Sequence, residues 1–209
     1  MKYFLLSNTV ISYKYLRSNV NSNNSIEEEI QHRIALGNKV HYANQFSFKS
    51  RLVSKKSKLK LYWSTKRPIV TYGCETWVLK ETIKNKLMLF ERKVLRRIFG
   101  PTKERGGKCR TKTKDELNEL IRRNNIINHI KAQRLSWFGH LHRMPDERIV
   151  KRVYKWKPIL TRPLGRPKNR WEDDIINDVK KLKIKNWTSC IQDSNKWKLY
   201  DEKAKTFKE

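Results

Sequence analysis

Glu172, Asp173 and Asp174 form one of two runs of three consecutive carboxylates in a chain of 209 residues, and Asp173-Asp174 is its only Asp-Asp pair. Carboxylates held close together bind divalent metal ions. On a helix, however, consecutive side chains fan out by about 100° each and chelate one ion poorly. These three fall where a helix should start, with Lys180, Lys181 and Lys183 near its far end. The helix dipole alone selects that arrangement. Glu27, Glu28 and Glu29 read the same way, as the acidic first turn of another helix. Ser136 and His140 are one helical turn apart, the spacing of a nucleophile and its base, but no third group is in place to orient the base. Cys74, Cys109 and Cys190 form no CxxC pair. Cys109 with His129, His140 or His142 matches no common zinc-finger spacing. An odd, sparse set of this kind fits reduced thiols inside a cell.

Charge is the stronger signal. Lys and Arg number 49 against 20 Asp and Glu, a net charge of +29. Such an excess calls for a polyanion, most simply the backbone of RNA or DNA. No run of about 18 apolar residues could span a bilayer. The opening "MKYFLLSNTVIS" makes a poor secretory leader, because Ser7, Asn8 and Thr9 break its apolar patch. We therefore expect an intracellular, nuclear protein with no membrane partner and no small-molecule substrate. One ridge of phosphate-binding candidates is Arg92, Lys93, Arg96 and Arg97, opposite the apolar Ile83, Leu87, Phe90, Val94, Leu95 and Ile98. A second set is Lys55, Lys56, Lys58 and Lys60. Arg134 and Arg143 lie along "RLSWFGHLHRM". Arg162, Arg166, Lys168 and Arg170 surround "PLGRPKNRW". Gly165-Arg166-Pro167 has the core of a minor-groove hook, but Leu164 stands where a second Arg is usual. Trp63, Trp171, Trp187 and Trp197 fall in apolar helical registers and are expected in the core. Trp137 and Trp156, beside basic residues, stay open between packing and base stacking.

The elements that must position these residues are nearly all helical. Gly and Pro number only 7 and 6. A helix to about Tyr42 should start at a Ser25/Glu28 capping box, with Ile26, Ile30 and Ile34 as its apolar stripe. A second should begin after Ser54 and bend or restart at Pro68. A third, capped by Thr82, should stop at Gly100-Pro101. Between Lys84 and Lys114 twelve basic residues face two acidic ones, so the Gly-bearing stretch 102–114 should repel itself unless a polyanion is present. A Thr113/Glu116 capping box, helices over 126–144, 148–156 and 171–182, and a last short helix complete the chain. Strand signals are poor. The expected fold is mainly all-α: two helical subdomains, 13–99 and 113–209, joined by a basic linker at 100–112.

"IEEEIQHRIALGNKVHYAN", "LVSKKSKLKLYWSTKRPIVTYGCETWVLK", "FERKVLRRIFGP", "RLSWFGHLHRM" and "GRPKNRWEDDI" occur in this order. On these stretches the chain resembles the C-terminal part of reverse transcriptases from non-LTR retrotransposons. "YKYLRS", Tyr13 to Ser18, is similar to the short segment that enters their thumb. The resemblance covers about residues 13–200. It implies that 13–99 corresponds to the helical thumb and 113–209 to the helical segment beyond it. Those polymerases hold two Mg ions on a Tyr/Phe-x-Asp-Asp hairpin and one further Asp. No such hairpin stands here, since Asp173-Asp174 follows "RWE" in a helical stretch. The resemblance therefore implies a truncated copy that starts at Met1, with fingers, palm and endonuclease missing. No catalytic residue and no cofactor is expected in this chain; what remains is a non-sequence-specific grip on template–primer backbone, and the missing palm and fingers are possible partners. The alternatives are part of a longer active endonuclease–reverse transcriptase, a domesticated DNA-binding protein that uses the Gly-Arg-Pro loop, and helical pieces that do not fold stably without the palm.

Overall fold

The computed structural model describes residues 12–21, 25–104, 107–122, 124–156 and 170–207. The fold is mainly α-helical, as the scarcity of Gly and Pro predicts. It divides into two compact units after Gly73. The sequence places its boundary at 100–112 instead, and that stretch lies within the second unit.

The first unit opens with a hairpin that weak strand signals do not predict: β1 (Ser12–Tyr15) pairs antiparallel with β2 (Ser18–Asn21). Leu16 and Arg17 make its two-residue turn with φ of 45° and 66°, the left-handed geometry that matches strand twist. The hairpin is pinned to α1 (Glu27–Ala43) by a buried ion pair. Arg33 Nε donates to Glu29 Oε1 at 2.6 Å, Asn19 N–H donates to Glu29 Oε2 at 2.8 Å, and Arg33 Nη2 donates to the Arg17 carbonyl at 2.7 Å. Glu29 thus does more than complement a dipole. The expected Ser25/Glu28 capping box does not form. Ile26 holds the cap position without a side-chain bond, and Glu28 instead accepts from Asn21 Nδ2.

Ser54 caps α3 (Lys55–Leu61) by accepting from Ser57 N–H. The chain then passes through a wide π-helical turn, Tyr62–Lys66, into α4 (Arg67–Val70), where Pro68 stands in the first turn. The proline ring would collide with the carbonyl four residues back in a regular helix. The wide turn avoids this, and Arg67 N–H reaches back five residues to Tyr62 O. Ile30, Phe48, Leu59, Tyr62 and Val70 are the buried apolar residues here, with Phe48 supplied by the short α2 (Gln45–Lys49). Lys66 is fully buried against His41 and the face of Phe48.

The second unit is arranged around α7 (Ile126–Arg143), which buries residues around much of its circumference and so behaves as a central helix. Against it pack α5 (Glu81–Phe99), α9 (Trp171–Lys181), α11 (Ser194–Lys205) and the 3₁₀ turn Cys74–Thr76. Lys80, not Thr82, occupies the cap position of α5. Gly100 ends that helix with φ 71°, a conformation that favours glycine. The basic stretch after it is partly ordered: β3 (Thr102–Lys103) pairs with β4 (Cys109–Arg110). Arg110 bonds both Glu104 and Glu116. The Arg110 bonds to Glu116 and the Thr113 N–H hold the Glu116 carboxyl down at about 2. Some of the expected self-repulsion is therefore neutralised from within. The Thr113/Glu116 capping box forms at the head of α6 (Lys114–Leu120). The smaller α8 (Ile149–Lys155) and α10 (Trp187–Cys190) complete the unit.

Phe138, fully buried, is the centre of an aromatic cluster with Trp171, Trp187, Trp197 and His142. Trp197 is also fully buried, and its indole N–H donates to the Leu135 carbonyl at 2.9 Å. The indole lies so close to α7 that a Cβ on Gly139 would sit 2.3 Å from the ring. Only glycine fits there, which accounts for the Gly in "WFGH". Gly139→Ala should lower stability by about 3 kcal/mol, at the upper end of overpacking costs, read as a fall in the denaturation midpoint.

Candidate nucleic-acid interface

The solvent face of α5 is basic because its carboxylates are used elsewhere. Ile83, Leu87, Phe90, Val94, Leu95 and Ile98 are buried, while Lys93, Arg96 and Arg97 are exposed on the far side. Lys86, two turns before Lys93 on that face, is also exposed and is a member that sequence reading missed. Its separations of seven and eleven residues from Lys93 and Arg97 are the signal that could have found it. Glu81 pairs with Lys84 at 2.7 Å. Glu91 is only 3% exposed, and its carboxylate accepts from Ile126 N–H at 2.8 Å, capping the start of α7. Arg92 sits on the flank of the ridge. It is half-buried, and its Nε donates to the Met88 carbonyl. Beside it lies a cleft of about 610 Å³ lined by Lys84 and Lys114 but also by Glu81, Asp115 and Glu119. Its mixed charge suits no continuous phosphate track.

The second basic set divides. Lys55, Lys56 and Lys60 are exposed on α3, whereas Lys58 is only 9% exposed. This set belongs to the first unit, and α5 to the second. Of the third set, Arg134 is a correction. It is 1% exposed, and its Nη2 donates to Asp174 Oδ2 at 2.7 Å. Its Nη1 lies 3.7 Å from Asp178 Oδ2, and Lys131 Nζ is 3.2 Å from Asp178 Oδ1. A guanidinium enclosed this way is out of reach of a phosphate. Arg143 is half-buried and donates to the Ile191 carbonyl at 2.8 Å. Arg162, Arg166 and Lys168 lie outside the described residues. Arg170 is exposed at the cap position of α9.

The acidic triplet is the other half of the Arg134 arrangement. Asp174 accepts from Arg134 and from Leu79 N–H, so it binds α9 to α7 and to the segment after the 74–76 turn. Glu172 accepts from Tyr154 OH at 2.6 Å. Asp173 is exposed. The three carboxylates point to three destinations, and within the Asp-Asp pair it is Asp174 that ties the helices together. Among the described residues no group of three His, Cys, Asp or Glu side chains could hold a metal ion. Trp171 fixes the same corner through its indole N–H, which donates to the Glu75 carbonyl at 2.7 Å. Burial, helped by the Lys151 charge, pushes the His142 imidazole down. Burial and the Glu172 carboxylate push the Tyr154 phenol up. The His142 imidazole is therefore not set up as a cation for phosphate. Sequence reading missed these partnerships. The usable signal was Asp174 and Asp178 at i, i+4 on one helix facing Lys131 and Arg134 at i, i+3 on another.

Ser136 has no catalytic arrangement. Its hydroxyl bonds Asp201 on α11, beside Arg143 and Lys198 in a shallow polar recess. Burial raises the Asp201 carboxyl to about 6, against the lowering effects of Ser136, Lys205 and Arg143.

Two stability tests follow from these bonds. Arg134→Met should cost about 3 kcal/mol, because it leaves Asp174 without its cation and Asp178 with Lys131 alone. Pairing it with Asp174→Leu should cost less than the sum of the two single changes in a double-mutant cycle. For Asp201 the folded-state value lies above the unfolded one. Protonation therefore favours the fold, and that contribution is lost as pH rises from about 4 through about 6. Asp201→Asn should accordingly raise stability at pH 7 by about 1 kcal/mol, discounted for the half-exposed site, and the gain should vanish below pH ~4.

No known family model matches the chain, and no solved structure matches it. A transposon-derived protein of Caenorhabditis elegans is 24% identical over 194 residues, which span 90% of this chain and 69% of that one. The match fits a transposon-related origin.

Proposed function

We propose that this chain is a remnant of the RNA-directed DNA polymerase of a non-LTR retrotransposon, one that keeps a backbone grip on nucleic acid without the polymerase site. The observation that carries the reading is the exposed face of α5, where Lys86, Lys93, Arg96 and Arg97 meet solvent and Glu91 is turned inward. Basic side chains along one helix face follow a phosphate backbone without reading bases. The transposon-derived relative supports a transposon-related origin, and the ordered motifs of the sequence are what point to a polymerase within it. Lys55, Lys56 and Lys60 on α3 supply a second phosphate-binding surface, and Arg170 is a further contact, with Arg162, Arg166 and Lys168 candidates by their place in the sequence alone. The ligand is RNA, DNA or their hybrid, held in the nucleus, with the palm and fingers of a parent polymerase as a natural protein partner. No cofactor takes part. Arg134, Lys58 and Arg143 drop out of the interface because of their burial or backbone bonds.

Binding of the full chain to a duplex and to an RNA–DNA hybrid, followed by fluorescence anisotropy, tests this reading. Affinity should fall ~10³–10⁵-fold between 50 and 200 mM salt if about 6–10 phosphates are neutralised. Replacing Lys93, Arg96 and Arg97 with Ala should lower the salt slope by ~0.9 for each phosphate that is no longer neutralised, equally for all sequences. A flat salt response in the unaltered chain would exclude the reading.

A further inference from the structure

α8 carries an apolar strip that no other part of the described residues covers. Ile149 is 75% exposed, Val153 67% and Trp156, the residue that closes the helix, 67%. At 100° per residue these three fall within one narrow face, and Arg148 and Arg152 line one border of it. The opposite face is anchored. Lys151 Nζ donates to the carbonyls of Leu141 and His142 at 2.9 and 2.7 Å, and Tyr154 OH donates to Glu172. The strip is therefore a fixed surface and not a frayed end.

Size and charge together say what fits it. A seven-residue helix is about 10 Å long, so one face of it presents far less than the ~800 Å² per partner that a stable protein interface buries. Its basic border exceeds its acids: Lys155 and Asp146 pair with each other at 2.7 Å, which leaves Arg148 and Arg152 against Glu147. The matching ligand is small, flat and apolar on its face, and anionic along its edge. An unpaired nucleotide has that form.

We propose that α8 is a stacking platform for single-stranded nucleic acid. The Trp156 indole takes a base, Val153 and Ile149 continue the floor, and Arg148 and Arg152 receive the phosphates. This inference rests on the nucleic-acid reading above and deepens it. A duplex keeps its bases stacked on one another and offers α8 only its backbone, so the platform separates unpaired strands from paired ones.

The test is the full chain titrated with a short oligothymidylate strand and with a duplex, comparing the unaltered protein with Trp156→Ala, Trp156→Phe and Arg152→Glu. Trp156→Ala should weaken strand binding roughly 10- to 100-fold, the range of one lost stack, and leave duplex affinity within about twofold. Trp156→Phe should keep most of the strand affinity, and Arg152→Glu should lose it. Unchanged strand binding in Trp156→Ala, or equal loss on strand and duplex, overturns the proposal while the backbone grip of α5 stands. If the unaltered chain binds neither strand nor duplex, both readings fall. Anionic phosphatidylserine vesicles and sedimentation of the chain alone complete the set. If Trp156→Ala abolishes vesicle binding or self-association but not strand binding, the strip faces a lipid surface or a second copy, and the proposal is wrong.

Discussion

A guanidinium at the centre of an apolar helix bundle is the constraint on which the second unit depends. Arg134 is almost wholly removed from water. An isolated charge there would be prohibitive, so two carboxylates must accompany it. Asp174 and Asp178 come one turn apart on α9 and meet Arg134 and Lys131, nearly one turn apart on α7. That match sets the rotation of one helix against the other, because a quarter-turn of either would leave charge buried without a partner. Burial raises the Asp178 carboxyl against the pull of both cations, a sign that the cluster is held closed against its own desolvation cost. Replacing the whole of such a cluster with well-packed apolar residues is often neutral for stability, whereas removing one partner is costly.

The remaining contacts of α7 extend this specification outward. Glu91 caps its first turn from α5, Trp197 lies against Gly139 from α11, and Lys151 closes its last carbonyls from α8. Each neighbour is therefore fixed to the same central helix by a polar bond or a close approach as well as by apolar packing. The basic face of α5 and the apolar strip of α8 are the outer sides of helices whose inner sides are committed to α7.

Helices with clear apolar periods were legible from sequence. The stop at Gly100 and the caps at Ser54 and Thr113 were legible because one residue type decides each. The β1–β2 hairpin was not, since its register is enforced by Glu29 and Arg33 from a helix that follows it in sequence. Ser25/Glu28 and Thr82 matched capping patterns, yet tertiary bonds or an earlier start of the helix took precedence. At the candidate interface, the division of α5 into an apolar and a basic side could be read from spacing alone. The fate of Arg134 could not. Spacing gives a residue's direction from its own helix, but not what lies in that direction.

The inward turn of Glu91 has a consequence for the helix that carries it. With that carboxylate spent at the head of α7, Lys93 has like charges three and four residues away, at Arg96 and Arg97, and no exposed acid on the same face to offset them. Like charges at such spacings destabilise a helix. The bare protein therefore holds α5 in a state of lateral electrostatic pressure, contained by the apolar side of the helix. Any polyanion laid along that face releases the pressure and so becomes, in thermodynamic terms, a component of the fold.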